Sequence, residues 1–140
     1  QKAGNGSFIS MLADAIQAVV LFSHSNLRVL QSLYIRALED DFHARQLVSL
    51  RAAVMDMLKQ YFMTRVSEIR HPEPSLALDF ALRQSVAMLS ARLEGRKLEV
   101  VAENITDRVF HRELMRMQLG YLGIDFTPEA IDKALHSRGM

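Results

Sequence analysis

Five histidines and one short acidic run are the residues of this chain that could hold a metal ion or do acid–base chemistry. None of the histidines, His24, His43, His71, His111 and His136, is three or four residues from another, the spacing that places two ligands on one helix face. The run Glu39-Asp40-Asp41 stands at a predicted helix start, where capping and the helix dipole account for acidic side chains. With no cysteine and no glycine-rich phosphate loop as well, the sequence predicts no metal, no cofactor and no catalytic site.

Composition limits the remaining classes of function. The chain has 140 residues, of which 49% are hydrophobic, enough for one domain with a core. Its 17 basic and 16 acidic residues give a net charge of +1 without a basic run, so direct nucleic-acid binding by this segment is not expected. The longest uninterrupted apolar run, residues 18 to 22, is too short to span a membrane. Together with the absence of cysteine, this predicts a cytoplasmic protein without a signal peptide or membrane helix.

Apolar residues repeat at steps of three and four along most of the chain, which predicts an all-α bundle of about six helices. No stretch alternates apolar and polar residues between turn signals, as a strand would. Residues 1 to 6 are predicted to be a lead-in or a cut linker, and residues 7 to 140 one helical domain. The helices are predicted from a cap at Ser7 to about residue 22, then over 27 to 39, 42 to 69 and 75 to 93, from about 106, and after a cap at Thr127. Gly95 is predicted to end the fourth helix, and residues 98 to 106 are consistent with either a helix or a packed loop.

The helix predicted over 75 to 93 and the one that begins near residue 106 carry more apolar surface than a single domain needs. A helix that is apolar nearly all round must be covered from two directions, and a second copy of the chain could supply one of the covers. Two such helices from each copy would form a four-helix interface. The predicted interface residues are Leu78, Leu82, Ser85, Leu89, Phe110, Leu114, Met117 and Tyr121. The alternative is that these side chains face the core of their own domain.

Aromatic and methionine side chains on several helices suggest a pocket for a small, mostly apolar ligand. Methionine is adaptable and aromatic walls suit apolar ligands. The predicted lining residues are Phe22, Tyr34, Met55, Leu58, Phe62, Phe80 and Met88. The alternative is that they are ordinary core residues, because such side chains at helical spacing usually fill a core.

Four segments together resemble the C-terminal regulatory domain of TetR-family transcriptional repressors. They are Arg65 to Pro74, Leu76 to Leu82, Glu113 to Met117 and Tyr121 to Gly123, and the order and lengths of the predicted helices agree along nearly the whole chain. The resemblance implies a homodimer that binds a small apolar effector and controls operator binding by an N-terminal helix-turn-helix domain. That DNA-binding domain is absent from this chain, and because the chain begins at Gln1 we expect it to be a processed product or a fragment.

Two other classes of function stay open. The first is a structural or protein-interaction helical module whose spare apolar faces bind another protein and which has no ligand pocket. A closed cavity of about 300 Å³ or more would favour the regulator, and a solid interior would favour the module. The second is a helical-bundle enzyme, which would need ionisable groups converging in such a cavity.

Overall fold

The chain is all-helical, as the sequence predicts. The computed structural model describes residues 7 to 98 and 105 to 140, and within these ranges it contains six α-helices, one 3₁₀ turn at Val66–Glu68 and no strand. The α-helices are α1 (Phe8–Ser25), α2 (Leu27–Glu39), α3 (Asp41–Met63), α4 (Pro74–Leu98), α5 (Asp107–Leu122) and α6 (Pro128–His136). The predicted lead-in at residues 1 to 6 and most of the ambiguous segment after α4 lie outside the described residues.

Four helices begin at a side-chain cap of the kind that their sequence indicates. In each, the cap oxygen accepts a hydrogen bond from the backbone N–H three residues further on, a group that has no partner inside the helix. These caps are Ser7 to Ser10 at 3.1 Å, Asp40 to His43 at 2.8 Å, Thr106 to Val109 at 3.3 Å and Thr127 to Ala130 at 3.1 Å. The starts of α1, α3, α5 and α6 are therefore set by local sequence.

Two predicted helix ends are wrong. The third helix ends at Met63 and not near residue 69, because the chain tightens there: the Thr64 hydroxyl donates to the Tyr61 carbonyl at 2.8 Å, and a 3₁₀ turn follows. The fourth helix continues through Gly95 to Leu98. Glycine inside a helix costs about 1 kcal/mol relative to alanine, which neighbouring helical residues can offset.

The core lies where α1, α4, α5 and α6 meet, with the end of α3 closing one side. The rings of Phe8 and Phe62 meet there with their centroids 5.2 Å apart. Large side chains that are almost fully enclosed include Phe8, Phe62, Leu78, Leu114, Met115, Leu119, Leu122, Ile131 and Leu135. The carboxyl end of the chain is fastened to α1, since Arg138 Nε lies 2.6 Å from Asp14 Oδ1 and the Gln17 side chain donates to the Arg138 carbonyl at 2.9 Å.

Helix α2 packs mainly on α3. None of its residues from 28 to 39 is buried, and Val29, Ile35 and Leu38 are exposed on it. The guanidinium of Arg51 on α3 lies over the ring of Tyr34 on α2, 5.1 Å from the centroid, and also donates to its hydroxyl. The α2–α3 pair is thus a helical hairpin attached to the bundle through α3 and α1.

By length and composition alone, α1 could cross a membrane, since its 18 residues have a mean hydropathy of 1.4. The longest uninterrupted apolar run, residues 18 to 22, is too short to have indicated this possibility. Core helices of soluble proteins meet the same criterion, and here Phe8, Leu12 and Ile16 are buried in the core. In this structure the first half of α1 is therefore a core segment.

Candidate interaction surface

The outer sides of α4 and α5, which the core does not cover, carry an apolar surface. Leu76 and Phe80 are 58% and 54% exposed on α4, and Met117 and Tyr121 are 48% and 42% exposed on α5. Each pair is four residues apart, so its members lie on one side of their helix. The rings of Phe80 and Tyr121 lie 5.8 Å apart between centroids, which joins the two pairs into one surface. We call these four residues the outer face.

The turn before α4 is tied to the end of α5, and this sets one end of the outer face. The Arg70 backbone N–H donates to the Leu122 carbonyl at 2.9 Å, and the Arg70 guanidinium makes two bonds to Asp125, of 2.8 and 3.2 Å. The His71 ring packs 5.3 Å from that of Tyr121. Gly123 follows α5 with φ +67° and lies directly against Arg70, so the α5 end and the turn fit closely.

At the other end, Arg92 holds the two helices together from the core side. Its side chain is 8% exposed and lies 3.0 Å from Asp107 Oδ1, while the guanidinium also donates to the Ile105 carbonyl at 2.7 Å. The Phe110 ring packs against the same guanidinium, 4.7 Å from its centroid. The relative position of α4 and α5 is therefore fixed at both ends.

Charged side chains of both signs lie on α4 and α5 beside the outer face. Asp79 and Arg83 pair at 2.9 Å on α4, and Glu113 and Arg116 pair at 3.4 Å on α5. The surroundings of the outer face thus carry acidic and basic groups on each helix, without a large field of one sign.

The predicted interface residues divide into two groups. Met117 and Tyr121 lie on the outer face, and Phe110 is half-buried beneath Arg92. The other five are buried within their own chain: Leu78, Leu82, Ser85, Leu89 and Leu114. The physical reason is the rotation of α4 and α5, whose inner sides pack on α1 and α3. The alternative of a core position holds for these residues.

The structure does not gather the predicted pocket residues around one cavity. Phe22 and Phe80 are exposed, and Phe62 is fully buried against Phe8. The remaining four, Tyr34, Met55, Leu58 and Met88, are half-buried. A small cavity that includes Phe62 among its walls has a volume of about 10 Å³. A shallow surface groove of about 490 Å³ lies elsewhere, between Lys59 on α3 and residues 73 to 79.

No protein family, curated protein or solved structure matches this chain. The resemblance to TetR-family regulatory domains is therefore carried by the sequence segments and helix order alone. Within the described part of the chain, no three histidine, aspartate or glutamate side chains converge as metal ligands would.

Sequence reasoning missed two features of α4 and α5. The sequence did not assign Leu76 or Phe80 to the interface, although both lie on the outer face. Gln118, which is 2% exposed inside the core, was also missed. The spacing does indicate a core position for Gln118, because it lies four residues after Leu114 and four before Leu122, which are both core residues.

Proposed function

We propose that this chain is a homodimerisation domain in which the outer faces of two copies pack together as a four-helix bundle. The observation that supports the proposal is the exposure of Leu76, Phe80, Met117 and Tyr121 side by side on two helices held at both ends. Large apolar and aromatic side chains grouped in this way are typical of protein contact sites. Burying them against a second copy would give α4 the second cover that its composition requires.

A second copy suits the outer face because the charges beside it can complement themselves. A two-fold interface brings the same patch together from both subunits, so the patch must contain both members of each complementary pair. Asp79 with Arg83 and Glu113 with Arg116 supply both signs on both helices. The charges beside the outer face do not form an electrostatic field of one sign that would attract a strongly acidic or strongly basic partner.

The broader role that we propose is that of a regulatory domain like those of TetR-family repressors, in a cytoplasmic protein. Dimerisation through the last large helices is what that resemblance implies, and operator DNA would be bound only by an N-terminal domain that this chain does not contain. An effector would act by stabilising one arrangement of the dimer, within the limit set by its differential affinity for the two arrangements.

Effector binding would need a cavity of ordinary ligand size between the helices. Ligand pockets usually have volumes of about 300 Å³ or more, whereas the cavity beside Phe62 has about 10 Å³. This observation favours the second candidate function, a helical protein-interaction module without a ligand pocket. The two candidates share the outer face and differ in whether a small apolar compound can bind between the helices.

Light scattering of the chain and of two aspartate variants tests the dimer. Phe80→Asp places a charge on the outer face, and Ile35→Asp places the same charge on α2, at a residue that is 59% exposed. We expect the unmodified chain and Ile35→Asp to be dimers and Phe80→Asp to be a monomer with unchanged helix content by circular dichroism. An unmodified chain that stays monomeric at micromolar concentration would exclude the proposal, as would equal loss of the dimer in both variants.

A further inference from the structure

A glutamine in the middle of the core has a polar atom that the protein leaves unbonded. Gln118 is 2% exposed, and its Nε2 atom has no hydrogen-bond partner among the residues that the structure describes. A buried amide donor without a partner is unfavourable. Leu114 and Leu122 occupy the equivalent positions one turn before and after, so an apolar side chain could fill this position without that penalty.

The Gln118 side chain borders the small cavity beside Phe62 that is described above. Ser85 on α4 contributes the other polar group to the cavity wall, and it is itself 6% exposed. The rest of the wall is apolar and includes Phe8 from α1, Phe62 from α3 and Leu78 from α4. Two buried polar side chains, Ser85 on α4 and Gln118 on α5, thus line one small cavity.

The size and chemistry of this space define what it can hold. A volume of about 10 Å³ is at the lower limit for one water molecule, which needs about 10 to 15 Å³ and two or more polar partners. The amide Nε2 donates, and a serine hydroxyl can both donate and accept. An oxygen that accepts from Gln118 and bonds to Ser85 would satisfy the buried amide.

We propose that this cavity is a binding site for one hydrogen-bond-accepting oxygen, held between Gln118 on α5 and Ser85 on α4. The occupant that fits the present volume is a single buried water, which would bridge the inner sides of the two helices. The oxygen of a small neutral molecule bound by the same two groups would be the other source of this chemistry. The site lies within one chain, so it does not depend on dimerisation.

A crystal structure of the unmodified chain, at a resolution that shows ordered water, tests the proposal. We expect a density peak within about 2.7 to 3.2 Å of both Gln118 Nε2 and Ser85 Oγ, the range of ordinary hydrogen bonds. A single spherical peak identifies water, whereas extended density, with a matching added mass in native mass spectrometry, identifies a small molecule. An empty cavity, or a Gln118 amide bonded to a protein atom, would overturn the proposal.

A matched pair of variants gives a second readout that does not need crystals. Gln118→Met keeps the length of the side chain and removes the amide, and Met57→Gln makes the reverse change at an exposed position on α3, away from the outer face. In the unmodified protein, labelled with ¹⁵N, we expect the Gln118 side-chain amide protons to show nuclear Overhauser contacts to a long-lived water or to a bound molecule. We expect the same contacts in Met57→Gln. Absence of such contacts, or a large rise in melting temperature for Gln118→Met, would mean that the amide is unbonded and the site does not exist.

Discussion

Gly123 shows at the scale of one residue how the end of α5 is joined to the turn before α4. Its φ of +67° lies in the left-handed region, which side chains with a Cβ adopt at a cost of about 1 to 2 kcal/mol. A Cβ at this position would also lie 2.7 Å from the Arg70 carbonyl oxygen, which belongs to the backbone and cannot easily move.

We expect Gly123→Ala to destabilise the chain by more than the backbone term alone. Gly139 provides a control, because its φ is +74° and a Cβ there would have no atom within 4 Å. Gly139→Ala should cost about 1 to 2 kcal/mol or less, and Gly123→Ala clearly more, as measured by urea denaturation. Equal losses in the two variants would show that the contact with Arg70 is not tight.

Asp40 gives the stability of α3 a dependence on pH. Its carboxylate accepts hydrogen bonds from the His43 backbone N–H at 2.8 Å and from the His43 ring at 2.7 Å. These bonds, that from the backbone first, hold the pKa of Asp40 below its ordinary value of 3.8. The stabilisation is therefore complete above that value and is lost as the pH falls below it.

Comparison with Asp40→Asn, which keeps the cap oxygen and removes the charge, isolates this effect. We expect the unmodified chain to melt at a higher temperature than the variant at neutral pH, and the difference to shrink as the pH falls below 3.8 and the carboxylate becomes protonated. Melting curves followed by circular dichroism measure it. A difference that does not change with pH would mean that the charge adds nothing to the cap.

At the scale of elements, the contact between α4 and α5 depends on one buried arginine. Arg92 brings a charge into the core and satisfies it with Asp107 and the Ile105 carbonyl. We expect Arg92→Met, which keeps the apolar stem, to lose about 1.5 to 3 kcal/mol in chemical denaturation, the usual worth of hydrogen bonds to a charged group.

Arg70→Met is the matched control for this prediction. Arg70 also makes two bonds to one aspartate, but it and Asp125 are 70% and 82% exposed. Water weakens such a pair, so its loss should cost about 1 kcal/mol or less. If the two variants lose the same stability, burial of Arg92 is not what makes its contacts strong.

The elements also show how far the sequence could predict this fold. Capping residues and apolar spacing are local signals, so the number of helices and most of their starts could be predicted. The ends of α3 and α4 could not, because glycine inside α4 and the tightening of the chain after Met63 depend on neighbouring segments. The rotation of α4 about its own axis, which decides the side that faces the core, could not be predicted either. A helix that is apolar on nearly every side does not reveal from its own sequence that Leu78 faces the core and Phe80 does not.

At the scale of the whole molecule, the core and the outer face use opposite sides of the same two helices. The inner sides of α4 and α5 hold the chain together around α1, and the outer sides leave four large apolar residues exposed. The two helices from which the sequence predicts an interface carry the outer face, and two of the eight predicted residues, Met117 and Tyr121, lie on it. Functional assignment is harder, since a dimer is compatible with both a ligand-controlled regulator and a plain interaction module.

The measurement that tests the dimer most directly is the distance between spin labels on two copies. The chain has no cysteine, so Gln84→Cys and Ser32→Cys each provide a single labelling position, exposed on α4 and α2 respectively. Gln84 lies one turn beyond Phe80 and borders the outer face. We predict that double electron–electron resonance gives an intermolecular distance for both variants, and that it is shorter for Gln84→Cys than for Ser32→Cys. A shorter distance between the α2 labels, or no intermolecular signal in either variant, would contradict a dimer formed by the outer faces.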